Sequence, residues 1–143
     1  MKKTKIITLL LVVIMSMSLA SCGGGGGSSS GVDVDLTELS STMIYSEVSN
    51  MVTMPDDYIG KTVKMSGQFA SLYDESVGEY YFACVIADAT ACCQQGLEFQ
   101  LAGNHSYPDD YPEEGTEITV EGTFDIYELG GQQYITLKDA KML

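Results

Sequence analysis

From Gly60 onward the order of apolar and polar residues predicts strands. Thr62 to Phe69 carries Val63, Met65 and Phe69 with Gly67 between them, and Tyr80 to Ile86 is an unbroken β-prone run. Leu97, Phe99 and Leu101 alternate with Glu98 and Gln100, so one face of that segment is apolar and the other polar. Ile118, Val120 and Phe124 share a further strand around Gly122, and Tyr134 to Leu137 makes the last one after Gly130-Gly131. The connections fall at Tyr73 to Glu79, Ala87 to Gly96 and His105 to Gly115, where glycine and acidic residues collect. Upstream the period changes. Ile44, Tyr45, Val48, Met51 and Val52 recur at helical spacing within Ser41 to Val52, and Pro55 ends the run because it lacks a donor and pushes its predecessor out of the helical region. Val32 to Leu36 also alternates, which fits a short strand or the end of an extended tether.

A weak internal repeat organises the strands. Pro55-Asp56-Asp57-Tyr58 leads to Gly60-Lys61-Thr62-Val63 and then Gly67; Pro108-Asp109-Asp110-Tyr111 leads to Gly115-Thr116-Glu117-Ile118 and then Gly122. A glycine inside a strand marks a bulge or bend, the device that lets a short sheet curl and close. Two strands bent at matching places favour a small closed barrel over a flat sandwich. The expected fold is mainly β, a five-stranded barrel with one short N-terminal amphipathic helix.

The first thirty residues follow a different logic. Three lysines within Met1 to Lys5 precede Ile6 to Ala20, an apolar run too short and wrongly flanked for a stable span, which reads as a secretory segment. Its end, Leu19-Ala20-Ser21-Cys22, resembles the lipobox of bacterial lipoproteins. That resemblance implies cleavage before Cys22 and lipidation of its sulfur, and more than one acyl chain makes such an anchor stable. The Gly/Ser tract up to Ser30 has no apolar side chains to pack and gives a reach of about 15–18 Å. The division expected is a signal peptide over 1–21, a lipidated cysteine and tether over 22–31, and one folded domain over 32–143, held at the extracytoplasmic face of a cell membrane.

Charge narrows the partners. All twenty acidic residues lie beyond Cys22, with only Lys61, Lys64, Lys138 and Lys141 against them, a formal charge of −16 with no arginine. Nucleic acids and anionic lipids are held largely by clustered Lys and Arg, so neither is expected as a ligand. Cations, neutral molecules and basic protein surfaces remain.

The stretches Asp57-Tyr58-Ile59-Gly60-Lys61-Thr62-Val63-Lys64-Met65-Ser66-Gly67 and Gly115-Thr116-Glu117-Ile118-Thr119-Val120-Glu121-Gly122 resemble the first and fourth strands of the oligonucleotide/oligosaccharide-binding (OB) barrel found in small bacterial lipoproteins. Ala-Thr-Ala-Cys-Cys-Gln-Gln-Gly-Leu-Glu-Phe, here Ala89 to Phe99, is similar to a stretch shared by a clostridial-type group of lipoproteins. The resemblance covers roughly residues 34 to 143 and implies an OB-like barrel domain, with no activity attached. The chain departs from nucleic-acid-binding members in lacking their basic, aromatic-interleaved groove.

Candidate chemistry is limited to three groups. With Cys22 lipidated, Cys84, Cys92 and Cys93 remain, an odd number for an oxidising compartment. Cys84 shares its strand face with Phe82 and Ile86 and reads as a core residue, while the thiolates of Cys92 and Cys93 with Cys84, Asp88, Glu98 or His105 are candidate ligands for zinc or copper. Against that, Cys92-Cys93 lacks the Cys-x-x-Cys spacing on which two thiolates converge, and disulfide or thiol-redox roles stay open. The acidic turn His105 to Glu114 does not match the alternating ligands and central glycine of a calcium loop. Tyrosines in or beside strands, Tyr80, Tyr81 and Tyr134 above all, are candidates for a ligand-facing surface, with Tyr73 and Tyr127 nearby. No nucleophile elbow, phosphate-binding glycine loop or histidine pair is present. The expectation is a lipid-anchored, non-enzymatic module that binds a small ligand or an envelope protein. The alternatives are a soft-metal lipoprotein serving a transporter through Cys92/Cys93 and, more weakly, a thiol-redox protein.

Overall fold

The computed structural model describes residues 31–87, 90 and 93–143; the expected signal peptide, Cys22 and the expected tether up to Ser30, together with Asp88, Ala89, Ala91 and Cys92, lie outside them. Among the described residues the strands are β1 (Val34–Asp35), β2 (Thr62–Asp74), β3 (Glu79–Ala87), β4 (Gln94–Leu101), β5 (Glu117–Leu129) and β6 (Gln132–Met142), and one α-helix, α1 (Ser41–Thr53), precedes β2. The chain is thus mainly β. Each of the five strands read from the sequence exists, and each extends beyond the run that announced it. Gly96, expected in a turn, lies within β4. The undecided Val32 to Leu36 splits: Val34 and Asp35 pair in parallel with Val63 and Lys64, and Leu36 turns into a short 3-10 helix capped by the Asp35 carboxylate, which accepts from Thr37 N at 3.0 Å.

Five strands form a closed ring of pairings. β2 is long enough to serve two neighbours: Thr62 to Gln68 pairs antiparallel with β5, and Gln68 to Asp74 pairs antiparallel with β3. β3 pairs with β4, β4 runs parallel to β6, and β6 returns antiparallel to β5. Along β2, Val63, Met65 and Phe69 point inward, and along β5, Ile118, Val120, Gly122 and Phe124 do so. With Cys84, Leu97, Phe99 and Leu137 they fill the interior. Each fully buried aliphatic or aromatic side chain contributes roughly 1.5–3 kcal/mol, and this alternation sets which face of every strand turns inward.

The repeat proves to be the axis of the ring. Its two strands are each other's partners, Val63 opposite Gly122 and Gly67 opposite Ile118. Beyond that ladder the bonds recur in mirrored pairs. Gly60 N donates to Phe124 O and Gly115 N to Phe69 O, both at 2.9 Å; Phe124 N donates to Lys61 O at 2.9 Å and Phe69 N to Thr116 O at 2.8 Å. Each Pro-Asp-Asp-Tyr turn is closed by its tyrosine N–H on its proline carbonyl, at 2.9 Å for Tyr58 and 3.1 Å for Tyr111. Each then lays its tyrosine on the phenylalanine of the other repeat, with ring centroids 5.7 Å apart for Tyr58 and Phe124 and 5.9 Å for Tyr111 and Phe69. Gly60 and Gly115, at φ +83° and +78°, open the two strands in a backbone conformation that side chains disfavour.

The ends are closed differently. α1 buries Val48 and Met51 and lies by the Val85–Ala87 end of β3. Val52, expected on its apolar face, is 48 % exposed, because the buried stripe is confined to the side carrying Val48 and Met51. The Tyr58 hydroxyl donates to Glu47 of α1 at 2.7 Å, and burial, then that bond, push the phenol up to about 12. At the other end the segment from Ala102 to Thr116 folds back over β3, with Tyr111 4.0 Å from Phe82 and Tyr107 4.5 Å from Tyr80 between ring centroids. Glu114 holds this segment to β2 by accepting from Ser71 N and Ser71 Oγ.

Candidate functional site

The tyrosines divide between the two faces of the ring. Because Tyr80 has the parity of Phe82 and Cys84, it joins the inner aromatic stack with Tyr73 and Tyr107, although 45 % of it is exposed. Tyr81 has the opposite parity and faces outward. β5 and β6 add Tyr127 and Tyr134, directly paired in register and stacked with centroids 5.5 Å apart, on the face that also carries Glu98 and Thr136. Tyr127 OH donates to Glu98 Oε2 at 2.7 Å, and Gln100 Nε2 donates to Glu98 Oε1 at 3.1 Å. Of the three tyrosines expected to face a ligand, Tyr81 and Tyr134 lie on the outer face and Tyr80 on the inner one. Tyr127 and its bond to Glu98 could not be read from the sequence, since the two residues lie 29 apart.

Electrostatics on this face favour neutral phenols. Burial, then the hydrogen bond to Glu98, raise the Tyr127 phenol far above its usual range; burial followed by the charges of Glu79, Asp74 and Glu98 raises Tyr81. At neutral pH Tyr81 and Tyr127 are therefore neutral phenols, and Tyr127 donates to the Glu98 carboxylate. Thr136, 4 % exposed and paired with Glu98 and Asp125, has a hydroxyl without a hydrogen-bond partner among the described residues. Such a group is uncommon in a folded interior. At the rim, Lys138 Nζ donates to Asp125 at 2.6 Å, and this bond holds the Asp125 carboxyl below its usual range.

Beside the face the ring is split. The β3–β4 ladder ends at Ala83 opposite Glu98, so Glu79 to Phe82 pairs only with β2, while Phe99 and Leu101 pair only with β6. The strands diverge around a cleft of about 260 Å³ lined by Glu79, Tyr80, Tyr81, Phe82, Glu98, Phe99 and Gln100. Phe82 and Phe99, with ring centroids 6.4 Å apart, bridge it on the inner side, and Tyr107 and Tyr111 pack behind Phe82. The lining supplies hydrogen bonding and aromatic contact; it holds no serine, cysteine, lysine or histidine.

The metal candidates are dispersed. Cys84 lies in the core opposite Leu97, whereas Glu98 points to the outer face, so the sheet itself separates them. His105 Nε2 lies 3.0 Å from Ala102 O in the exposed segment beyond β4. Cys93 is exposed at the entry to β4, and Asp88 and Cys92 lie outside the described residues. Among the described residues no three His, Cys, Asp or Glu groups gather as a metal site. Burial alone pushes the Cys84 thiol up to about 12. At pH 8 the thiol form of Cys84 therefore dominates over the thiolate, the nucleophilic form. Iodoacetamide at pH 8 should leave Cys84 unmodified in the native chain and modify it in guanidinium; site-resolved mass spectrometry reads the outcome, and native labelling at the denatured rate would refute the burial argument.

No family model, curated protein or solved structure matches this chain. Among the described residues no helix is long and apolar enough to cross a membrane.

Proposed function

We propose that this chain is a lipid-anchored, extracytoplasmic binding module with an OB-like barrel, which docks a partner protein of the cell envelope on its outer tyrosine–carboxylate face and carries out no covalent chemistry. The observation that carries the reading is the convergence of Tyr81, Tyr127, Tyr134 and Glu98 beside a split in the strand ring. Tyrosines supply large, rigid contact area with a polar tip, the property that enriches them at protein interfaces. The strand order supports the OB-like reading: a long first ring strand shared between two neighbours, and a parallel third-to-fifth pairing that closes the ring. The OB fold characteristically uses the face of its second and third strands for ligands. Here those strands are β3 and β4. Cys22 at the lipobox supports the anchor, and the −16 charge supports a partner with a basic surface.

The test uses the full chain in its native membrane, with a photo-crosslinking amino acid at position 81 or 134 and, as control, at Met43 on the exposed side of α1. The expected result is a discrete protein adduct from positions 81 and 134 and none from 43. Adducts of equal yield from all three positions, or none from 81 and 134, would overturn the assignment of this face.

A further inference from the structure

A strand that ends its pairing early leaves backbone donors and acceptors in search of partners, and proteins normally blunt such an edge with lysine, proline or a bulge. Among the described residues, the side of β3 that faces β4 is unpaired along Glu79-Tyr80-Tyr81-Phe82 and has none of these devices. The opposite wall is shorter: beyond Glu98 the β4 strand runs only from Phe99 to Leu101, and the extra residue at its register shift with β6 lies on β6. The β3 wall is therefore the longer strand template, four residues against three. Around it the hairpin tip is apolar and exposed: Leu72 is 68 %, Tyr73 48 %, Val77 45 % and Tyr80 45 % accessible, with Leu72 opposite Tyr81 and Tyr73 opposite Tyr80. Charge selects among occupants. Glu79 and Glu98 line the cleft, Asp74 and Glu75 stand at the hairpin turn, and no lysine lines it.

We propose that the free edge of β3 from Glu79 to Phe82 accepts an extended segment of the partner protein, alternating apolar and basic residues, as an added strand. This rests on the reading of the outer face as the docking surface and specifies its mode. Main-chain bonds to β3 would provide affinity and register. Alternate side chains would meet the Tyr80–Phe82 side and the Tyr81–Glu98 side of the edge, with basic residues answering Glu79 and Glu98. A second copy of the chain is a poor occupant, since it would bring the same acidic rim against this one.

The probe is a capped hexapeptide alternating lysine and valine, titrated at physiological salt into the full chain purified in detergent, with hydrogen exchange read by mass spectrometry. Expected is saturable binding that slows exchange over residues 79 to 82. Two further peptides carry N-methyl groups on alternate nitrogens, one set for each edge. Because successive amides of a strand point to opposite sides, one of these peptides binds like the parent and the other binds about tenfold or more weakly, as loss of two or three hydrogen bonds implies. A glutamate–valine peptide should not bind. Absence of parent binding, equal binding of both methylated peptides, or protection elsewhere would overturn strand addition. Concentration-dependent self-association abolished by the parent peptide would instead identify a second copy as the occupant. If crosslinks from positions 81 and 134 persist while the peptides fail, strand addition alone falls; if both fail, so does the docking face.

Discussion

Phe69→Ala is expected to lower the unfolding free energy by about 3–5 kcal/mol, the usual range for truncating a buried phenylalanine. Phe69 is 1 % exposed and its ring joins three groups: Phe99 from β4 at 6.3 Å, Phe82 from β3 at 6.0 Å and Tyr111 from the covering segment at 5.9 Å. Removing it opens a cavity where the core meets the aromatic cover, so the Ala102–Thr116 segment loses part of its seat. Against a total stability of about 5–15 kcal/mol the loss is a large fraction. Urea unfolding followed by circular dichroism measures it, and proteolysis within 102–116 should quicken in parallel. Phe124→Ala, at the mirrored position against Tyr58, should destabilise without that local exposure. A change below about 1 kcal/mol at Phe69 would contradict the packing described.

Gly67→Ala is the second large effect, and its cause is backbone proximity. A Cβ at 67 would lie 2.5 Å from Val85 O and 3.0 Å from Cys84 Sγ, so the carbonyl of a neighbouring strand must move. Cys84 fills the space that a side chain at 67 would need. The expected cost is about 1–3 kcal/mol, as for overpacked interiors. Gly122→Ala, the other half of the repeat, is expected to cost less than about 1 kcal/mol after the usual gain from restricting the unfolded chain. Its nearest neighbours would be Ala140 Cβ at 3.0 Å and Leu137 Cβ and Lys138 O at 3.1 Å. There β6 carries a bulge, with Asp139 at φ +51°, and has more freedom to adjust. Unfolding midpoints of the two variants decide the order. Equal costs would show that the asymmetry is not energetic.

Much of this fold was legible because its physics is local. Alternation of apolar residues, unbroken β-prone runs and glycine turns together marked all five ring strands, and helical spacing with Pro55 marked α1 to within one residue. The repeat of Pro-Asp-Asp-Tyr and paired glycines announced two equivalent strands. Strand ends were less legible: β5 runs on to Leu129 and β6 to Met142, where side chains other than the buried Ala140 are polar or half-buried and the ladder extends the strand. Val52 was misplaced because spacing defines a stripe but not its width.

The candidate site was legible only as residue types. Sequence alone determined that the domain is β-rich, strongly acidic and rich in tyrosine, and that Cys84 shares a strand face with core residues. Which tyrosines meet was a tertiary decision, since parity separates the adjacent Tyr80 and Tyr81 while register unites Tyr127 with Tyr134 and, across two strands, with Glu98. The split between β3 and β4 was likewise invisible, because it arises where β4 leaves one partner and keeps another. Periodicity follows from the geometry of a single strand. Pairing depends on closure of the whole ring, and a sequence carries no local mark of where a ladder ends.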